Sequence, residues 1–453
     1  MRIHFIAIGG SAMHNLAIAL KAKGCEISGS DDEIFEPSLS RLRNHDILPK
    51  TIGWQPELIT SNLDAVVLGM HARTDNPELA RAKELGLKIY SYPEYLYEQT
   101  KNKTRVVIGG SHGKTTITSM VMHVLRTVGV EFDYMVGAQL EGFENMVALS
   151  ESPKIAVFEG DEYLTSPIDL RPKFHVYKPN IAFISGIAWD HINAFPTYEI
   201  YRKQFEIFVE NIEPNGALVF CATDTETAEV AKFARPDIKS IPYIAHPYMQ
   251  KGEDYFLLNG SAEVPVKVIG DHNMQNIAGA KQVCSLLGVS NSEFYKAMST
   301  FAGAAKRLQI LAQNSKTRVY LDFAHSPSKV KATIKAVKQA FPSRKLFACL
   351  ELHTFSSLNA EFLKQYNGAM EGADVPIVFF DEHTLAHKKL PELSAAKVSE
   401  SFGTPEPKVY INSTVLVSDF EKVNWDECTL LLMTSGNFSG VNMKDLALRI
   451  VNQ

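Results

Sequence analysis

Short apolar runs alternate with longer helical stretches from the first residues of this chain. Apolar runs at 3–8, 25–28, 65–68 and 88–90 have strand length, and the stretches at 13–23 and 77–85 between them have helix length. Such alternation predicts parallel strands joined by crossover helices. A polar segment at 99–104, Gln-Thr-Lys-Asn-Lys-Thr, breaks the pattern before a new strand at 105–108, and a first domain boundary is placed there. Further strands are expected at 155–158, 181–185 and 217–221, with a helix at 274–287. The series restarts near 301–307 with strand 317–322, helix 329–341, strand 345–351, helix 360–370, strands 375–380 and 430–434, and a last helix at 443–451. The expected architecture is α/β in three domains, at 1–102, 103–303 and 304–453.

Composition narrows the function classes. Of 453 residues, 45% are hydrophobic and 21% charged, enough apolar material for several cores and no case for disorder. A net charge of −5 gives no basic face for nucleic acid, so any phosphate binding must be local. The cysteines, Cys25, Cys221, Cys284, Cys349 and Cys428, are odd in number, scattered and without Cys-x-x-Cys spacing. They suit buried reduced thiols in a cytoplasmic protein better than a zinc site or a disulfide framework. The apolar run at 3–8 ends in glycine and is too short for a signal-peptide core or a membrane span. A cytoplasmic location without membrane insertion is expected.

The strongest chemical signal is Val106-Val107-Ile108-Gly109-Gly110-Ser111-His112-Gly113-Lys114-Thr115-Thr116, a strand leading through Gly-x-x-Gly-Lys-Thr into a helix. Glycines let backbone amides approach an anion, and the helix N-terminus adds its dipole. Lys114 can neutralise phosphate charge and the Thr115 hydroxyl can ligate Mg²⁺. The loop departs from the usual spacing, because Ile108 stands where the first glycine belongs. The end of the next strand brings Glu159-Gly160-Asp161-Glu162, and Glu159 is the candidate Mg²⁺ carboxylate. Without the phosphate loop before it, the same segment would equally suit a solvated acidic turn. Asp190-His191 follows a further strand, and His191 is a candidate to face a metal or a transferring phosphoryl group, against the structural role that a lone His usually has.

Other segments carry weaker signals. Gly270-Asp271-His272-Asn273-Met274-Gln275-Asn276 opens a helix, where Asp271 or Asn273 could simply cap it and Asn276 could read an adenine edge. Arg307 suits a γ-phosphate clamp and Asp322, in Asp-Phe-Ala-His-Ser-Pro with His325, suits ribose hydroxyls; either also suits a surface ion pair. At the N-terminus, Gly9-Gly10-Ser11 with Asp31 about twenty residues on resembles a dinucleotide loop, though Ala7 and Ala12 replace two glycines of that fingerprint. A tight Gly9-Gly10 turn can still accept a pyrophosphate, including that of a UDP-sugar.

Taken in order, Gly-Gly-Ser-His-Gly-Lys-Thr-Thr at 109–116, Glu-Gly-Asp-Glu at 159–162, Asp190-His191, Gly-Asp-His-Asn-Met-Gln-Asn at 270–276, Lys306-Arg307-Leu308 and Asp-Phe-Ala-His-Ser-Pro at 322–327 resemble the motifs of the Mur ligases over essentially the whole chain. The resemblance implies a Rossmann-like UDP-sugar domain holding Gly9, Gly10, Ser11 and Asp31, a central P-loop ATPase domain and a Rossmann-like C-terminal domain that brings the incoming amine. It implies ATP at Gly110, Ser111, His112, Gly113, Lys114, Thr115, Thr116, Asn276, Arg307, Asp322 and His325. Lys114, Glu159 and His191 take the catalytic roles, with Mg²⁺ at Thr115, Glu159 and His191. Lys203 lies near the place where some branches carry a carbamylated metal-binding lysine, and a helix-surface lysine is the other reading.

Two branches fit. One adds L-alanine to UDP-N-acetylmuramate; the other, the murein peptide ligases, attaches a recycled tripeptide to the same acceptor. Gly29-Ser30-Asp31 with Pro37, and the turn at 433–440, are similar to the second branch. His353 is more like the first, while Gln309 and Ser326 replace a Glu and a His common in the family. The partners implied are UDP-N-acetylmuramate and an amino acid or short peptide. A folylpolyglutamate-type synthetase would lack the first hundred residues, and an NAD-dependent oxidoreductase would leave the phosphate loop without a task.

Overall fold

The computed structural model describes residues 1–140, 142–189, 191, 194–304, 306–388 and 390–453. They form two compact units, Met1–Ala245 with Gln275–Met298, and His246–Met274 with Ser299–Gln453. Mixed α/β layers built on parallel sheets are present in both, as the alternation of apolar runs requires. Among the described residues no helix is long and apolar enough to cross a membrane.

The first unit opens with a four-stranded parallel sheet in the order Glu26–Ser30, Arg2–Ile6, Ala65–Leu68, Ile89–Ser91. Its two middle strands are almost wholly buried, which is why they read as continuous rather than alternating apolar runs. One buried residue there is ionisable on each side of a contact. The helix Pro77–Glu84 begins at Asn76, whose side chain accepts from the amides of Glu78 and Leu79 at 2.9 and 3.1 Å. That start carries the Glu78 carboxylate into the core, where it takes hydrogen bonds from Ser30 Oγ and the Gln55 amide and lies 3.3 Å from His4 Nε2. Burial pushes the Glu78 pKa up, but the hydrogen bonds from His4, Ser30 and Gln55 together hold it below its ordinary value. A carboxylate lowered in the fold stabilises above its unfolded pKa and loses that contribution as pH falls through the folded one. Glu78→Ala, which takes the partner from His4 Nε2, Ser30 Oγ and the Gln55 amide, is therefore expected to cost about 3 kcal/mol at neutral pH. Urea unfolding at two pH values should show the cost shrinking in acid.

The second sheet of this unit has seven strands in the order Lys239–Tyr243, Ala217–Cys221, Ile181–Ile184, Thr104–Gly109, Ile155–Glu159, Asp133–Met135, Val147–Ala148. All neighbours are parallel except the last pair. Thr104–Gly109 lies between Ile181–Ile184 and Ile155–Glu159, with Gly109 level with Ile184 and Ile108 level with Glu159. The turns that follow these three strands therefore leave the sheet along one edge. Phe158, Phe174, Phe205 and Phe208 pack beneath it, with Phe174 and Phe208 stacked at 4.5 Å.

In the second unit a six-stranded sheet runs Gln309–Gln313, Thr317–Asp322, Cys428–Met433, Lys345–Glu351, Val375–Phe379, Lys408–Tyr410, with only the first strand antiparallel. A small antiparallel sheet, Tyr248–Lys251, Asp254–Asn259 and Ala262–Val266, belongs to the same unit and departs from the expected alternation, because its short strands follow one another with no helix between them and the last contains Pro265. The helix expected at 360–370 is shorter. It spans Ala360–Leu363, continues as a 3-10 turn Lys364–Tyr366, and ends at Asn367-Gly368, where Gly368 is left-handed at φ 70° and its amide bonds to the Phe402 carbonyl. The five thiols are free, four of them buried. Burial pushes Cys284 and Cys349 up from the ordinary thiol range.

Candidate active site

The site is built on the edge where the three central turns emerge. After Gly109 the chain turns through Gly110 at φ 119° and Gly113 at φ 71°, both in the left-handed region. A Cβ would lie 2.2 Å from Ser185 Oγ at Gly110 and 2.5 Å from Asn276 Oδ1 at Gly113, so both positions demand glycine on two grounds. Gly113 then starts the helix Lys114–Thr127 without a side-chain cap, unlike the starts at Asn76 and Ser91. The positive end of the helix dipole at this start suits an anion. The residues present fit a nucleotide phosphate in this cradle.

Three side chains on the first turn and loop reach into the neighbouring turns. The Lys114 ammonium donates to the Gly110 carbonyl at 2.8 Å and to Glu162 Oε2 at 2.6 Å. Burial lowers the Lys114 pKa, yet the carboxylates of Glu162, Asp161 and Glu159 outweigh it and leave it raised, so the ammonium stays charged at neutral pH. Thr115 Oγ1 donates to Glu159 Oε1 at 2.9 Å, and Glu159 Oε2 accepts from the Gly137 amide at 2.8 Å. Ser111 Oγ meets the Ala188 carbonyl at 2.8 Å and the Tyr201 hydroxyl at 2.9 Å. A threonine hydroxyl beside a glutamate is a pair of hard oxygen donors of the kind Mg²⁺ takes alongside phosphate oxygens and water. The donor chemistry therefore fits that ion.

His191 occupies the third turn at φ 55°, with Nε2 3.9 Å from Glu162 Oε1 and its ring 5.2 Å from that of Tyr163. Ligand atoms of Asp161, Glu162 and His191 lie within 4.8 Å of one another. Burial pushes Asp161 up, but Lys173, 2.6 Å away, with Lys114 and His191 hold it well below the carboxylate range. Each acid of this pair therefore has its own lysine.

The structure thus gathers Ser111, Lys114, Thr115, Glu159 and His191 along one edge, and Asn276 against Gly113; His112 follows Ser111 on the exposed side of the loop and Thr116 is buried in the helix. Asp190 lies outside the described residues. Lys203 points elsewhere, its ammonium 2.7 Å from Glu206 and 5.7 Å from the centre of the Phe233 ring. Glu162 and Tyr201 escaped sequence reasoning as individual residues. Glu162 stood in a quoted motif, but which acid of that segment meets the lysine depends on a turn whose shape the pattern does not encode.

In the second unit, Asp322 accepts from the amides of Leu308 and Ala324, both at 2.7 Å, so its carboxylate ties the 306–308 segment to the end of its strand. Lys306 and Leu308 are left-handed on either side of Arg307, whose guanidinium lies 4.8 Å from the centre of the Phe323 ring. His325 Nδ1 is 2.9 Å from the Phe323 carbonyl.

At the N-terminal turn, Asp31 Oδ2 accepts from the Gly9 amide at 2.7 Å, beside Gly10 and the exposed Ser11 that begins the helix Ser11–Ala22. Burial, with Asp32 alongside, raises the Asp31 pKa to about 6. An acid whose pKa is raised in the fold loses stability as pH climbs from the unfolded value, near ~4, to the folded one. Asp31→Asn is expected to remove that decline and to melt at or above the wild-type temperature at pH 7, as thermal unfolding between pH 4.5 and pH 7 will show.

Comparison with known proteins covers nearly the whole chain. Residues 2–104 match the Mur ligase family catalytic domain, 108–284 the Mur ligase middle domain and 306–423 the Mur ligase glutamate ligase domain. UDP-N-acetylmuramate–L-alanine ligase from Carboxydothermus hydrogenoformans is 28% identical over 98% of this chain and 96% of its own. Among solved structures, UDP-N-acetylmuramate–alanine ligase from Thermotoga maritima aligns with TM-score 0.71 at 21% identity, covering 100% of this chain and 98% of that one. A murein peptide ligase from Psychrobacter arcticus aligns with TM-score 0.68 at 21% identity, covering 100% and 99%.

Proposed function

Since the chain belongs to the Mur ligase family, whose members form amide bonds with ATP and Mg²⁺ in peptidoglycan synthesis, we propose that it joins L-alanyl-γ-D-glutamyl-meso-diaminopimelate to UDP-N-acetylmuramate. In this reading the reaction runs through an acyl phosphate and serves peptidoglycan recycling in the cytoplasm. Residues 1–102 hold the UDP-sugar, 103–303 the ATP and 304–453 the incoming amine. The observation that carries the ligase chemistry is the uncapped glycine loop with Lys114, Thr115 and Glu159 on a single sheet edge.

A carboxylate and an amine do not condense unaided in water. The lactyl carboxylate attacks the γ-phosphorus of ATP, ADP leaves, and the amine then attacks the acyl carbon of the acyl phosphate and expels phosphate. Positioning and charge neutralisation are the enzyme's main tasks in the first step. Lys114 supplies a fixed positive charge at the phosphates, and the loop amides cradle them. Mg²⁺, when bound, neutralises phosphate charge, and Thr115, Glu159 and His191 would hold it. Asn276 is assigned to the adenine, Arg307 to the γ-phosphate, Asp322 and His325 to the nucleotide, and Gly9, Gly10, Ser11 and Asp31 to the UDP-sugar.

The second reading is L-alanine as the amine, favoured by the names of the curated relatives and by His353. The Gly29-Ser30-Asp31 segment with Pro37 and the turn at 433–440 favour the tripeptide. Purified protein with ATP, Mg²⁺ and UDP-N-acetylmuramate, offered the tripeptide and L-alanine in parallel, is expected to yield a UDP-linked tripeptide product by mass. Product with L-alanine alone moves the chain to the other branch, and no product with either amine overturns the muramate assignment.

A further inference from the structure

Glu162 is almost completely enclosed, with a side chain 1% exposed, yet it is a carboxylate three residues past the end of the strand Ile155–Glu159. One oxygen, Oε2, takes the Lys114 ammonium at 2.6 Å. The other, Oε1, takes the Tyr201 hydroxyl at 3.0 Å. Tyr201 is itself fully buried on the helix Tyr198–Glu210, its ring held between Phe195 at 5.6 Å and Phe205 at 5.3 Å. Its hydroxyl also lies 2.9 Å from Ser111 Oγ, which sits in the glycine loop. Loop, acidic turn and helix are thereby joined in a ring of side chains, Ser111 to Tyr201 to Glu162 to Lys114, closed by the Lys114 bond to the Gly110 carbonyl.

The protons in this ring are limited. Ser111 and Tyr201 have one hydroxyl hydrogen each, and among the described residues three contacts compete for them: the Ala188 carbonyl, Glu162 Oε1 and the contact between the two hydroxyls. A buried carboxylate is the strongest acceptor of the three, so the Tyr201 proton goes to Glu162. That bond fixes the plane of the carboxylate. The plane in turn decides where Oε2 presents itself to the lysine, because a carboxylate without its second donor can rotate about its last bond.

We propose that Tyr201 is a positioning residue for nucleotide binding: its hydroxyl fixes Glu162, and Glu162 fixes the ammonium of Lys114 against the glycine loop. The proposal rests on reading Lys114 as the lysine that meets the nucleotide phosphates. It differs from a packing role, which the ring of Tyr201 fills whether or not the hydroxyl is present.

Tyr201→Phe keeps the ring and removes only the hydroxyl. In the full chain, calorimetric titration with ADP and Mg²⁺ is expected to show about tenfold weaker binding, the scale of one hydrogen bond to a charged group. The KM for ATP should rise similarly while the KM for the UDP-sugar stays at the wild-type value, a split that a packing defect would not produce. Glu162→Asp, which withdraws the carboxylate from both partners, should weaken ADP by at least as much. Tyr201→Phe combined with Glu162→Gln should be no weaker than Glu162→Gln alone, because the tyrosine acts only through the acid. Wild-type affinity in Tyr201→Phe, or penalties that multiply in the double variant, overturns the proposal alone. No binding of ADP by the wild-type chain overturns the reading of the loop, and this proposal with it.

Discussion

Lys114→Met is expected to lower kcat/KM for ligation by at least about a thousandfold, the range found when a cation that stabilises a transferring phosphoryl group is lost. The same substitution should also destabilise the protein. Lys114 is the cation on Glu162, whose side chain is 1% exposed, and removing one partner of a buried pair costs about 3–5 kcal/mol because the other charge stays behind. The two effects separate in a double variant. Lys114→Met with Glu162→Gln should regain most of the lost melting temperature and none of the activity, since a neutral amide needs no cation and supplies none. Phosphate release and thermal unfolding on the same preparations measure both. A single variant that retains activity within tenfold would mean that the glycine loop does not hold the reacting phosphates.

Glu159→Gln should lower kcat by about a hundredfold or more, with little change in melting temperature. The amide can still accept from Thr115 or from the Gly137 amide, the two bonds that now orient the carboxylate, so the fold loses little. What disappears is the negative charge beside the threonine hydroxyl. The Mg²⁺ concentration needed for half-maximal rate should therefore rise, whereas Lys114→Met should leave the Mg²⁺ dependence of any residual rate unchanged. A Glu159→Gln enzyme with an unaltered Mg²⁺ dependence would remove Glu159 from the metal's surroundings.

Much of this arrangement could be read before any coordinates. The strands Thr104–Gly109, Ile155–Glu159 and Ile181–Ile184 announce themselves as apolar runs ending in glycine or acid, and their parallel pairing is what gathers Lys114, Thr115, Glu159 and His191. Parallel order is implied by crossover connections, so a linear pattern was enough. What escaped was set by turns and by contacts between distant segments. Glu162 meets Lys114 only because the chain bends after Gly160, and Tyr201 is an ordinary amphipathic-helix residue until its hydroxyl is seen between Ser111 and Glu162. The small sheet at 248–266 is hidden for another reason: its strands are short and their pairing is antiparallel and local, with no helix between them to set up the strand-helix alternation.

The order of strands within the sheets bears on how the protein behaves at high concentration. Outer strands are where a second copy could extend a sheet by pairing backbone to backbone. Four of those margins are poor templates. Val147–Ala148 is two residues long, Lys239–Tyr243 contains Pro242, Ala262–Val266 contains Pro265, and Lys408–Tyr410 is three residues with Pro407 before it and a lysine at its start. Proline has no amide hydrogen to offer an incoming strand, and a short charged edge offers too few partners to hold one. These four margins resist edge-to-edge stacking, which leaves Glu26–Ser30 and Gln309–Gln313 as the longer outer strands without proline, the edges along which crowded chains would meet.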